Sequence, residues 1–116
     1  MTQEKMTQLI TNWANTLTTK EPSQMVALYA NNAHLNATFH NETLTTPDEI
    51  KNYFVNFLQQ EPECKLLSMA HNTGSLIASG TYQFTTKDGS ILNARFTFGF
   101  NNEGKIEAHH SSVFPK

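Results

Sequence analysis

Ala94-Arg95-Phe96-Thr97-Phe98, a polar break at Asn101-Asn102-Glu103-Gly104, and Lys105-Ile106-Glu107-Ala108-His109-His110-Ser111-Ser112 read as two β-strands and the turn between them. Along the first run apolar and polar residues alternate, the period that sets one side of a strand against a core. Phe96, Phe98 and Phe100 share a face with Leu92 and Ala94, which reads as core against helices or as an interface between two copies. The hairpin also gathers one arginine and two adjacent histidines, more polar chemistry than a structural strand pair requires, and so points to a ligand-binding sheet.

Working back from this hairpin, everything after Pro62 is strand-like: Cys64 to His71, a break at Asn72-Thr73-Gly74, and a run from Ser75 to Thr86. Lys87-Asp88-Gly89-Ser90 is a hairpin turn, expected as type I′ because Asp-Gly readily takes positive φ angles. The first half is helical. Met6, Leu9, Ile10, Trp13, Ala14 and Leu17 recur at helical spacing and predict a helix over about residues 3 to 19. Glu21-Pro22 opens a second helix, with Met25, Val26, Leu28 and Tyr29 on its buried side.

From Ala33 the period becomes two: Ala33, Leu35, Ala37 and Phe39 alternate with His34, Asn36, Thr38 and His40. Thr46-Pro47-Asp48-Glu49 is a capping box with proline at the first helical position. It starts a third helix running to about Gln60, with Ile50, Tyr53, Phe54, Phe57 and Leu58 on one face and Glu61-Pro62 as its stop. Helix, helix, strand, helix and four strands give an α+β domain with an antiparallel sheet against segregated helices.

At 116 residues the chain makes one domain, residues 1–116, long enough to bury roughly two thirds of its unfolded surface. Its eight Lys plus Arg are thinly spread and the net charge is -2, so there is no basic stripe for a phosphate backbone and no nucleic-acid partner is expected. No stretch approaches the ~18 apolar residues of a membrane span, so no membrane partner is expected. Met1–Met6 carries no apolar signal region, and the single cysteine, Cys64, excludes an intrachain disulfide; a cytoplasmic location is expected.

The ordered set of Trp13 with Leu17, Leu28-Tyr29-Ala30, Tyr53-Phe54 with Phe57-Leu58, and the closing Ala94–Phe98 to His109–Ser112 followed by proline resembles the SgcJ/EcaC branch of the SnoaL-like, nuclear transport factor 2-like superfamily. The calcium/calmodulin-dependent kinase II association domain belongs to the same group. The resemblance covers nearly the whole chain and implies a cystatin-like cone, in which a curved antiparallel sheet wraps three helices around a pocket open at one end. It also implies homodimers paired through their sheets. Members include isomerases, cyclases and dehydratases as well as non-catalytic assembly modules, so fold alone does not choose a function.

In the association domain the arginine matching Arg95 lies in the pocket and suits carboxylate ligands, so the resemblance implies an anion contact there. The other reading of Arg95 is a salt bridge to Glu107 or to a carboxylate on the third helix, since a buried guanidinium needs a partner. His109 and His110 point to opposite faces and cannot chelate one metal together. A hairpin loop of two or four residues would put His110 beside Arg95 and His109 beside Phe96, making His110 with Arg95 the pocket pair; a one-residue change in the loop would reverse this.

His34 and His40 lie about 20 Å apart along an extended strand, too far for one metal, and neither a metal site nor a cofactor is expected. Proton-moving relatives use an aspartate, often with a tyrosine. Here the segment entering the first strand is Ala30-Asn31-Asn32-Ala33, and Asn32 can orient a ligand but cannot exchange protons. A histidine base, His110 or His34, is the enzyme alternative. Tyr53 and Tyr82 bring polar tips that suit a pocket wall, and Ser111 and Ser112 read as hydrogen-bonding structural serines.

Together these expectations describe a homodimeric domain binding a small organic ligand, including an anionic one, in an apolar pocket lined by Arg95, His110, Tyr53 and Asn32. The alternatives are an isomerase, dehydratase or cyclase and an assembly module.

Overall fold

A computed structural model describes residues 1–114. The proline of the closing motif, Pro115, lies outside them.

Helix α1 (Gln3–Thr16) starts where the Thr2 side chain accepts a hydrogen bond from Lys5 N at 3.0 Å. It buries the stripe Met6, Ile10, Trp13 and Ala14, then tightens into a 3-10 turn (Leu17–Thr19) that buries Leu17. Helix α2 (Pro22–Val26) is only five residues long. Of the buried side expected for it, Met25 is in the core, whereas Tyr29 opens strand β1 (Tyr29–Asn36), four residues before the expected start at Ala33. The strand also ends sooner than its alternation, and Phe39 beyond it is 48% exposed.

Helix α3 (Pro47–Phe57) carries the capping box in full: Thr46 Oγ1 accepts from Glu49 N at 3.2 Å, and Glu49 Oε1 accepts from Thr46 N at 3.1 Å. Hydrogen bonds to the Glu49 carboxylate from the Thr45 backbone and then from the Thr46 hydroxyl, with smaller ones from the Thr45 hydroxyl and the Thr46 backbone, hold the carboxyl below its ordinary value. A 3-10 turn (Leu58–Gln60) follows, and Glu61 leaves it at a left-handed φ of 49°.

Strands β2 (Glu63–His71), β3 (Ile77–Thr85), β4 (Ile91–Phe100) and β5 (Ile106–Val113) form an antiparallel meander, and β1 joins β5 in parallel to give the order β1-β5-β4-β3-β2. The α+β cone expected from the sequence is the fold observed, with this one parallel pair added. The β3–β4 turn is not type I′, which needs two positive φ angles, because only Gly89 (φ 84°) has one. Gly89 N donates to Thr86 O and Thr86 N to Ser90 O, a three-residue loop.

Curvature is built into β2, whose register with β3 shifts between Leu66 and Ser68. Gly80 lies across from this bulge, and a Cβ there would sit 2.1 Å from Ser68 O and 2.9 Å from the Phe96 ring. No residue but glycine allows this bend.

The inner face of the sheet and the helices share one core, in which Tyr82, Phe84, Phe96, Phe98 and Phe100 pack with Trp13, Ile10 and Phe54. The phenylalanine series of β4 is therefore core, the first of its two readings. No helix among the described residues is long and apolar enough to cross a membrane.

Candidate functional site

Buried polarity collects on β5. Among the described residues, His109 (3% exposed) and Ser111 (6%) are the buried polar side chains, set opposite Phe98 and Phe96 on the inner face. The imidazole of His109 stacks on Phe98 with centroids 4.0 Å apart and meets Trp13 edge-on at 5.1 Å.

Both ring nitrogens are engaged. His109 Nδ1 lies 2.8 Å from Tyr29 Oη, which accepts from Trp13 Nε1 at 3.1 Å. His109 Nε2 lies 3.2 Å from Tyr82 Oη, which donates to Ser111 Oγ at 2.6 Å, and Ser111 Oγ is bonded in turn to Thr38 Oγ1. Burial lowers the His109 pKa to about 3, and the neighbouring His110 acts in the same direction. Burial likewise raises the phenols of Tyr29 and Tyr82 well above their ordinary value. Every member of the chain is uncharged near neutral pH.

Thr38, Ser111, Tyr82 and His109 border a cavity of about 10 Å³, whose other walls include Tyr53 and Phe57. That is room for about one water-sized group, far below the several hundred Å³ of a ligand pocket. Tyr53 and Phe57, stacked at 5.7 Å, also line a groove of about 390 Å³ between α3 and the segment after β1, where Phe39 packs 5.5 Å from Phe57. Inner cavity and outer groove thus share a wall of aromatic side chains. Burial raises the Tyr53 phenol, against a backbone hydrogen bond at Phe39.

Of the residues expected to line the pocket, Tyr53 does. Arg95 and His110 do not: both are exposed, on the opposite face of the sheet from the cavity. The reason is register. Asn101 pairs with Lys105 around three residues, one off the expected loop, and a register shift between Gly99 and Phe100 adds a second offset. The two offsets restore parity, so His110 still shares a face with Arg95, but it pairs with Thr97 while Arg95 pairs with Ser112. Since Phe96 and Phe98 turn inward, that shared face turns out.

The guanidinium of Arg95 sits 5.6 Å from the centroid of Phe114, and among the described residues it makes no salt bridge, to Glu107 or to α3. Glu107 is exposed, as are His34 on β1 and Asn32, which lines a separate groove with Asn101 and Lys105. Burial pushes the Cys64 thiol up to about 12, which leaves it a poor nucleophile. No three His, Cys, Asp or Glu residues converge among the described residues.

Nothing in the local sequence pattern marks His109, Tyr29 and Thr38 together as chemistry. One signal was available for His109, because the expected hairpin already set it beside Phe96 on the apolar face.

A Xanthomonas campestris protein provisionally named a calcium/calmodulin dependent protein kinase II association domain is similar to this chain at 32% identity and a TM-score of 0.87, covering 96% of this chain and 86% of that one. The epoxide hydrolase/cyclase-like enzyme SalBIII, of pyran ring formation in the polyether salinomycin, superposes with a TM-score of 0.84 at 12% identity over 96% of this chain and 92% of its own. A Methylobium petroleophilum protein of unknown function with a cystatin-like fold gives 0.80 at 11% identity over 100% and 80%. At such identities the last two show the fold alone. No protein-family profile and no curated protein matches the chain.

Proposed function

Because this chain belongs to the SnoaL-like, nuclear transport factor 2-like superfamily, we propose that it is a self-associating small-molecule-binding domain whose site is the interior of the cone. The observation that carries this reading is the neutral polar chain from Trp13 to Thr38, brought together at the edge of a cavity inside an otherwise apolar core. Burying so many polar groups costs stability that apolar residues would not, so a folding role alone does not account for it. The ligand reaches the cavity from the 390 Å³ groove by displacing Tyr53 and Phe57.

Binding without proton transfer suits this interior better than catalysis. His109 has both nitrogens occupied and a pKa of about 3, which makes it a weak base at neutral pH. His110 and His34, the proton carriers an enzyme would use, lie on the other side of the sheet. Arg95 is likewise out of reach of an interior ligand and is assigned to the outer face.

That face supports self-association. Its central cross-strand pairs are Thr81 with Arg95, Gln83 with Asn93 and Thr97 with His110, a hydroxyl- and amide-rich surface with one fixed charge. The name of the Xanthomonas protein favours the same reading, in which the outer face pairs two copies and the interior remains the ligand site. Native mass spectrometry of the protein purified from its host is expected to show a dimer retaining an organic mass. A bare monomer sinks both halves of the proposal, and a bare dimer leaves only the assembly reading.

A further inference from the structure

We infer that the interior site, if it binds as proposed above, takes an uncharged ligand presenting an oxygen acceptor, a ketone or ether, to the Thr38–Ser111 end of a hydrogen-bond chain that runs in one direction. The direction follows from its first member. An indole N–H only donates, so Trp13 Nε1 gives its proton to Tyr29 Oη. Tyr29 then directs its own proton to His109 Nδ1, which must be the bare nitrogen of the ring. The ring proton therefore sits on Nε2 and points at Tyr82 Oη, and Tyr82 passes its proton to Ser111 Oγ.

The opposite sense would put a proton on His109 Nδ1, aim it at Tyr29 Oη and leave the Tyr29 hydroxyl proton buried with no acceptor. The observed contacts avoid that orphaned donor.

Counting the protons gives the consequence. Trp13, Tyr29, His109, Tyr82, Ser111 and Thr38 bring one each, six in all, while the contacts among them number five. The sixth proton belongs to Thr38 or to Ser111, whichever accepts from the other, and both border the cavity. The cavity's dimensions admit one oxygen-sized group beside that proton.

The surroundings select against charge. Among the described residues no Lys, Arg, Asp or Glu lines the cavity, so an anion would have no counter-charge from them in a dry site, and the groove leading to it carries Glu42 and Glu49. A ligand donor group would face the spare proton head-on. An apolar body with a carbonyl or ether oxygen at its inner end meets every condition, its remainder lying along Tyr53 and Phe57.

The test is an NMR titration of the full chain with three probes of one shape: acetophenone, α-methylstyrene, in which a methylidene replaces the carbonyl oxygen, and benzoate. The ¹⁵N shifts of His109, read before titration, are expected to report the Nε2–H tautomer. Acetophenone is expected to bind about tenfold more tightly than α-methylstyrene, the worth of one buried hydrogen bond, and benzoate more weakly still, with shifts at Thr38, Ser111 and His109. An Nδ1–H tautomer overturns the inference, as does equal affinity for α-methylstyrene or tighter binding of benzoate; shifts at the cavity in either case leave the interior-binding reading standing. If none of the three perturbs the cavity, interior binding falls and the inference with it.

Discussion

His109 and His110 are neighbours in the chain and share almost nothing in the fold. One sheet separates them: His109 is stacked on Phe98 with both nitrogens bonded, and His110 is exposed beside Thr97. The inner face joins the polar groups around His109 and Ser111 into one hydrogen-bonded chain, whereas the outer face carries hydroxyls, amides and an arginine that makes no salt bridge among the described residues. Strand alternation alone produces this contrast, and it decides which histidine belongs to the interior chemistry.

The strongest attack on the contrast is a pair of adjacent substitutions. Phe98→Asp puts a carboxylate in the core at a fully buried position and is expected to cost more than about 4 kcal/mol and abolish cooperative thermal unfolding. Thr97→Asp, one residue away on the outer face, is expected to keep a cooperative melt and, with that face pairing two copies as proposed, to lower the sedimentation coefficient toward that of a monomer. Equal loss of folding in both variants would erase the distinction between the faces.

His109→Phe probes the inner network directly. It keeps the aromatic stack but leaves the Tyr29 hydroxyl proton without its acceptor and Tyr82 Oη without the imidazole N–H, for an expected loss of about 2–4 kcal/mol in urea unfolding. Unchanged stability would show that the network contributes nothing net.

Acid sharpens the same point. The folded-state pKa of His109, about 3, lies below its ordinary 6.5, so the unfolded chain binds the proton more readily. Stability from this group is complete above pH 6.5 and falls as the pH drops from there toward 3, by about 1.4 kcal/mol per pH unit. Chemical denaturation between about pH 6.5 and 5 reads this slope before carboxylates titrate. The slope is expected to be lower in His109→Phe, and an identical slope in that variant would place the acid sensitivity elsewhere.

The smallest effect is expected from Arg95→Ala, whose folding free energy should stay within about 0.5 kcal/mol of the parent, because the guanidinium is exposed and only rests over Phe114. A larger loss would mean that this outer contact holds the end of β5 in place.

Much of the fold was legible. The Thr46–Glu49 box placed the start of α3 because capping is a local arrangement of four residues, and the stripe from Met6 to Leu17 placed α1 because a periodic face needs no knowledge of its partner. The site was legible only in part. Tyr29 read as helical because its apolar neighbours follow a proline start, yet pairing with β5 draws it into a strand: its register partner is Ile106, far along the chain. Arg95 was set in the pocket by resemblance although Phe96 and Phe98, read as core, already turned it outward.

The amino-acid order by itself determined helices α1 and α3, the four later strands, the succession of elements and the parity that sets His109 and His110 on opposite sides, since each follows from spacing within a few residues. Tertiary structure alone decided that Trp13, Tyr29, Thr38, Tyr82, His109 and Ser111 meet, and how little space they leave. These six come from a helix, three strands and a loop, and the curvature that brings them together depends on a bulge in β2 and on close approaches such as Gly80 to Ser68. Such contacts are made between distant segments, so no local pattern encodes them.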